Sequence, residues 1–422
     1  MLIRLFQVLL LAVGLGWAIF ICNGRLDAAQ IPGFLIALAI SWWLTPEIRS
    51  RALGLGLVDK PGEERRIHKV PVPRLGGVAI YISLMITLAI LVAATGRFPK
   101  NARVGEGGLI GIALGGTIIF LLGLLDDLES LPAKLKLLVQ ILAACAAYSL
   151  GVKIKTIPMP GITSGALSVP VHSGIAGTGH ALPALAAASS SVGNVIDLGI
   201  LSLPITIVWL VGMSNAVNLI DGMDGLAAGV SAISALTIWT VAMAHSIDRP
   251  YAALTAAVLA GALLGFLRWN FNPARIFLGD SGAYLTGFIL GAVSITGVIK
   301  GAAAATLIVP TFLLVLLILF FPILDTTWAI IRRVAQRKSI FTPDSEHIHH
   351  RLLQTGLSQK SVAYLLYGLS ALLGFVAAVL VHQQSYFLKL ACVVLLMAGF
   401  FAEVLNRNRQ RRKQQTEKVN PS

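Results

Sequence analysis

The sequence predicts an all-α integral membrane protein, a polytopic bundle of about 11–12 transmembrane helices with its active-site loops on the cytoplasmic side. Three observations carry this expectation. Of 422 residues, 56% are hydrophobic and only 12% charged, roughly half the charge of an ordinary soluble domain. The apolar residues come in repeated runs about 17–25 residues long, the length of a helix that crosses the hydrocarbon layer. The basic residues sit in short loops between those runs and favour one side, as topology requires of cytoplasmic loops.

Taken in order, Met1 and Arg4 precede a first run that continues to about Cys22 with no small-residue cleavage site. It reads as a retained anchor and not a removed signal. About twelve candidate spans fall near 3–22, 31–48, 75–95, 107–125, 135–151, 199–215, 224–246, 251–269, 283–299, 305–330, 361–382 and 386–404. Residues 1–50 are then N-terminal anchor spans, 51–360 a core that carries the polar motifs, 361–405 a C-terminal pair of spans and 406–422 a basic tail.

Orientation follows from charge. With the N-terminus inside, one set of loops holds the basic residues of 49–74, Lys134, Lys136, Arg268, Arg275, those of 332–360 and the tail cluster 407–413. The other holds Arg25, Arg97, Lys100, Arg103, Lys153, Lys155, Arg249, Lys300 and Lys389. The first side is cytoplasmic by this bias, and every polar motif discussed below falls on it.

Composition also excludes. The net charge of +14 is dispersed between spans, which argues against a nucleic-acid partner. Cys22, Cys145 and Cys392 lie in or beside separate apolar runs, without metal-site or disulfide spacing, and read as small packing residues. Residues 152–198 form a long external insertion, low in complexity and nearly uncharged. Its composition suits a flexible segment with no catalytic part, and His172 and His180 lack partners at ligand spacing. Polar residues in spans also mark transporters, but the sequence shows no internal repeat, and its acids cluster at cytoplasmic helix ends.

Four clusters carry chemistry. The first, GLLDDLESLPAKLKLL, ends a span with adjacent Asp126 and Asp127, and Lys134 and Lys136 follow a short loop later. Neighbouring carboxylates repel unless a cation or proton intervenes, which suits metal binding or proton abstraction. The second, NAVNLIDGMDGLAAG, presents Asn215, Asn218, Asp221 and Asp224. Steps of three residues align the last three if the segment is helical, whereas two Asp-Gly pairs favour a tight turn. Either form gathers the oxygen ligands that hard cations prefer. The third, RWNFNPARIFLGDSGAY, offers Asn270, Asn272, Phe277 and Asp280 in a Gly279–Gly282 turn. Its small residues would let phosphate or metal approach the backbone. The fourth, DSEHIHHRLL, sets His347, His349 and His350 beside Arg351. Zinc would need further ligands at suitable spacing, so imidazole donors beside a guanidinium fork better fit a pyrophosphate or sugar. Together the clusters favour phosphoryl transfer, whose transition state needs charge neutralisation and alignment more than covalent help.

In their order along the chain, GLVDKPGEERRIHKVPVPRLGG, the Asp126-Asp127 pair, NAVNLIDGMDGLAAG, NFNPARIFLGDSG and HIHHRLL resemble the motifs of the polyprenyl-phosphate N-acetylhexosamine-1-phosphate transferases, from about Leu57 to Leu353. The HIHHRL form is similar to the GlcNAc-1-phosphate branch, whereas the lipid I translocase (the phospho-MurNAc-pentapeptide transferase, the alternative within the family) has an uninterrupted histidine run. The resemblance implies UDP-GlcNAc as donor, undecaprenyl phosphate as acceptor, Mg2+ (or Mn2+) as cofactor and release of UMP in a bacterial inner membrane. A second copy of the chain is the one protein partner left open. It also implies roles. Asp280 matches the magnesium ligand, with Asn218 beside it. Asp126 and Asp127 match a pair that binds metal or deprotonates the lipid phosphate. Asp221 and Asp224 match aspartates of the nucleotide and metal site, and Asn270 and Phe277 match positions near uracil. Lys136, with Lys134 as the alternative, matches a phosphate-contacting base. His347, His349, His350 and Arg351 match the sugar-recognition loop.

Overall fold

The computed structural model describes residues 2–20, 22, 25–26, 28–59, 71–96, 108–158, 195–244, 249–299, 311–336 and 347–381. The expected span at 386–404, the basic tail, Cys392 and most of the 152–198 insertion, with His172 and His180, lie outside the described residues.

The described chain is a helix bundle. Its helices are α1 (Leu2–Phe20), α2 (Gln30–Gly54), α3 (Gly76–Thr95), α4 (Leu109–Glu129), α5 (Ala133–Ser149), α6 (Ser202–Ile220), α7 (Leu226–Ala244), α8 (Pro250–Asn270), α9 (Gly279–Val293), α10 (Thr311–Ile318), α11 (Phe320–Ala335), α12 (Ile348–Gln354) and α13 (Gln359–Val381). Among the described residues, eight helices are long and apolar enough to cross a membrane: α2, α3, α4, α6 with its preceding turn, α7, α8, α9 with its continuation to Ile299, and α13. The protein is thus a multi-pass membrane protein, as its composition predicts.

Helices α1 and α5 fall where the runs 3–22 and 135–151 place them, with an apolar stretch of Phe6–Ile19 in α1 and 17 residues in α5. One expectation about the spans changes. The described part of the expected single span 305–330, from Thr311 on, is two helices, α10 and α11, separated at Leu319. The cause lies in Pro322, which has no N–H to give to the carbonyl four residues earlier. That carbonyl, on Ile318, instead accepts the hydroxyl of Ser234 from α7 at 3.0 Å, so the break does not leave it unpaired.

At the centre, α9 and its continuation are buried along their whole length and α8 along most of it. Helix α8 packs on α2 and α7, and α9 packs on α4 and α6. The α2–α8 contact is close because Gly261 and Gly265 lie one turn apart. A Cβ on them would fall 2.2 Å from the Phe34 carbonyl oxygen and 2.5 Å from that of Leu38, the small-residue approach common between membrane helices. The outer helices show apolar side chains such as Leu121, Leu138, Val208 and Ile331 to the surroundings, which lipid would cover.

Two short antiparallel strand pairs complete the fold. β1 (Val58–Asp59) pairs with β2 (Val72–Pro73) near the ends of α2 and α3. At the opposite end, β3 (Thr156–Pro158) pairs with β4 (Val195–Asp197), with Pro158 opposite Val195. This second ladder closes the base of the long insertion.

Candidate active site

The site forms where the C-terminal ends of α4, α6 and α8 meet the N-terminal end of α9. The segment before α3 fixes that end. Phe277 N–H donates to the Pro73 carbonyl at 2.8 Å, Gly76 N–H to Phe277 at 3.0 Å and Gly77 N–H to Leu278 at 2.9 Å. Gly279 then takes φ +75, a left-handed conformation that suits glycine. A Cβ there would sit 2.0 Å from the Arg74 carbonyl oxygen. The expectation of a Gly279–Gly282 turn open to ligand is therefore corrected. These residues are the first turn of α9, and their smallness lets α3 and α4 approach. A Cβ on Gly77 would lie 2.2 Å from Gly282 N and one on Gly123 2.5 Å from Ser281 Cα.

The two adjacent carboxylates of α4 have different tasks. Asp127 takes the Asp280 N–H at 2.7 Å on one oxygen, and the Ser281 N–H at 3.0 Å and hydroxyl at 2.6 Å on the other. It caps a helix far away in sequence, satisfying N–H groups that an N-terminus leaves unpaired. Asp126, 5% exposed, accepts the Leu131 N–H at 2.7 Å and the Lys136 ammonium at 2.8 Å. Its carboxyl also meets that of Asp280 in a hydrogen bond. Asn218 donates its amide to Asp280 at 2.6 Å. Asp280, Asp126, Asn218 and Lys136 are thereby one cluster. Lys134 is exposed, which resolves the choice between the two lysines as far as contact with this cluster goes.

Helix α6 ends at Ile220 with Asp221 as its C-cap, and α7 starts at Leu226. The two Asp-Gly pairs thus make the tight turn that spacing allowed, and a broken helix presents them. Asp221 faces Asp280, Asp127 and Asp224. Burial, followed by those three negative charges, pushes its carboxyl well above the usual range. Asp224, buried, points elsewhere: it accepts Asn272 Nδ2 at 2.9 Å and Ala274 N–H at 3.0 Å. Asn272 continues that link to Gln359 at the start of α13. Asn270, 2% exposed, donates to the Ile276 carbonyl at 3.0 Å. Both Asp224 and Asn270 hold the 271–278 connection in shape. Phe277 is half-buried at its end.

The histidine segment reaches the same place. His349 is fully buried, with Nε2 2.7 Å from where a Cβ on Gly222 would lie. Its ring lies parallel to His347 at 5.8 Å and against His350 at 4.3 Å. Burial, then the neighbouring His350, lowers its pKa to about 4, so it is neutral at physiological pH. Arg351 is exposed on the same short helix.

Some participants escaped the sequence reading. Arg74 lies near the cluster, its positive charge acting on both Asp127 and Asp221; in the sequence its PRLGG segment points only to topology and a family resemblance. Asp325 accepts His347 Nδ1 at 2.7 Å and Ile348 N–H at 2.8 Å. A lone acid within the apolar run FFPILDTTW is the available signal, which a single span over 305–330 hides.

The carboxylates and amide of Asp280, Asp126 and Asn218 form a hard oxygen set, and two carboxyls in contact need a cation or proton between them. Among the described residues no group of three His, Cys, Asp or Glu side chains could hold a metal ion. Such a set is of the kind that a hard, oxygen-preferring cation could use as part of its shell.

Residues 109–298 match the model of glycosyl transferase family 4. A Bacillus subtilis (strain 168) protein named "Probable undecaprenyl-phosphate N-acetylglucosaminyl 1-phosphate transferase" is 33% identical over 370 residues, 87% of this chain and 89% of that one. A Mycolicibacterium smegmatis "Decaprenyl-phosphate N-acetylglucosaminephosphotransferase" is 34% identical over 82% of this chain and 80% of its own. A Thermotoga maritima "Undecaprenyl-phosphate alpha-N-acetylglucosaminyl 1-phosphate transferase" is 28% identical over 87% and 96%. Identity at that level along nearly the whole chain, joined to the meeting of the described motifs at one end of the bundle, places this chain in glycosyl transferase family 4, in the branch of the polyprenyl-phosphate N-acetylglucosamine-1-phosphate transferases.

Proposed function

We propose that the protein transfers N-acetylglucosamine 1-phosphate from UDP-GlcNAc to undecaprenyl phosphate, giving undecaprenyl-diphospho-GlcNAc and UMP, as the first membrane step of a cell-envelope polysaccharide. The observation that carries this reading is the convergence on Asp280 of Asn218, Asp126 with Lys136 and the Asp127 cap, with the Gly222–His349 contact next to Asp221 in the adjoining turn. The relatives' names supply the substrates. The site lies at the bundle end whose loops hold the excess of basic residues, which supports a cytoplasmic active site in a bacterial inner membrane.

In the reaction, an oxygen of the lipid phosphate attacks the sugar-linked phosphorus, and the bond from that phosphorus to the UMP oxygen breaks. Asp280, Asp126 and Asn218 would hold Mg2+ (or Mn2+), which when bound neutralises pyrophosphate charge. Lys136 keeps Asp126 in place and adds positive charge beside the acceptor. Asp221, whose protonated form burial and the neighbouring carboxylates favour, is the carboxyl able to hold a proton beside the cluster. The histidine segment, with neutral His349 at its centre, offers ring nitrogens to the sugar phosphate.

The purified protein in detergent, given UDP-GlcNAc, Mg2+ and undecaprenyl phosphate, should release UMP and form the lipid-linked sugar. No UMP with any member of a donor panel would end this reading. Cysteine labelling from the cytoplasmic side tests the orientation: a cysteine at Ser130 should react in intact cells only after permeabilisation, and one at Ile196 without it.

A further inference from the structure

The contact between Asp325 and His347 joins a helix that no motif marked to the histidine segment. Asp325 lies on α11 and is 1% exposed; its partner His347 is 6% exposed and stands just ahead of α12. A carboxylate can only accept hydrogen bonds. One oxygen takes the Ile348 N–H at 2.8 Å, and backbone N–H is a fixed donor. The other lies 2.7 Å from His347 Nδ1, so that nitrogen carries a proton and Nε2 is the ring nitrogen turned away from Asp325. The next links are spatial. His347 lies parallel to His349, and His349 Nε2 abuts Gly222, beside Asp221.

We propose that Asp325 is a positioning residue for the transfer, acting through His347: it fixes the Nδ1–H tautomer and clamps the start of α12, so that the histidines meet the Asp221 turn in register. This rests on the proposed function in taking the histidine segment as a substrate-facing element. The competing view is a buried polar brace with no bearing on turnover.

Asp325→Asn separates the two. Its single carbonyl oxygen must serve the Ile348 N–H, which has no alternative role. Its NH2 then faces His347 Nδ1 and drives the ring proton to Nε2, at almost unchanged shape. In protein carrying ring-15N histidine, with the His347 signals assigned by their loss in His347→Gln, the wild type should show Nδ1 protonated and D325N should show Nε2 protonated. D325N should keep its thermal midpoint and lose roughly 10- to 100-fold in turnover, the usual effect of losing a carboxylate that orients a functional histidine. Asp325→Glu, which preserves two acceptor oxygens, should keep the wild-type tautomer and more activity than D325N. An unchanged tautomer in D325N overturns the proposal, as does turnover within about twofold of wild type. If wild-type protein releases no UMP, the function reading fails, while the ring spectra still judge the tautomer by themselves.

Discussion

Asp126 and Asp127 are neighbours in sequence and differ in almost everything else. Asp127 spends both oxygens on the first turn of α9, while Asp126 faces Lys136 and Asp280. Replacing Asp127 by Ala should therefore lower the thermal midpoint, with a loss on the order of 0.5–2 kcal/mol typical of a helix cap, besides reducing turnover. Asp280→Ala should leave the protein inserted and folded yet abolish UMP release; near-normal release would remove Asp280 from the metal set. His349 gives a pH effect whose sign can be worked out. Its pKa falls from 6.5 to about 4 on folding, so between those values the unfolded chain binds a proton that the folded chain does not. Stability must then fall as pH drops through that window. His349→Gln should flatten the fall in thermal midpoint between pH 6.5 and 4, measured in detergent by unfolding scans. An unchanged slope would show that His349 is not the group responsible.

At the scale of elements, the site depends on how closely three helices approach the start of α9. Gly123 is where α4 comes closest to another helix's backbone, with Ser281 Cα and Asp280 O 2.5 and 2.6 Å from its missing Cβ. Gly123→Val should force α4 away from α9 and separate Asp127 from the N–H groups it caps. The expected result is a variant that inserts but loses activity and thermal stability together; wild-type behaviour in both would contradict the packing. The α10–α11 break teaches a related lesson. Its hydrogen-bond repair comes from Ser234 on another helix, so Ser234→Ala should cost about 1 kcal/mol by leaving the Ile318 carbonyl unpaired, a shift readable in the same scans.

Across the whole molecule, the two ends of the bundle have separate work. Every described motif gathers at one end, while the β3–β4 pair at the other brings Pro158 and Val195 opposite each other. Replacing residues 160–193 with a short Gly-Ser link should then leave turnover within about threefold of wild type, since loop length weighs only weakly on stability. A large loss of activity would show that the insertion contributes to catalysis.

The sequence by itself determined the membrane class, most of the spans and the gathering of the described motifs at one end of the bundle. Those properties are local or additive: apolar run length, charge between runs, and carboxylates placed where carboxylates are costly. Lys136 against Lys134, Asp126 against Asp127, and Asp224 as a brace for the 271–278 connection were decided only by tertiary structure. Each depends on which way a side chain faces once distant helices pack, and spacing along one chain holds no such information. Asp325 shows the same limit most plainly, because its partner His347 is 22 positions away and meets it only after the chain has folded back on itself.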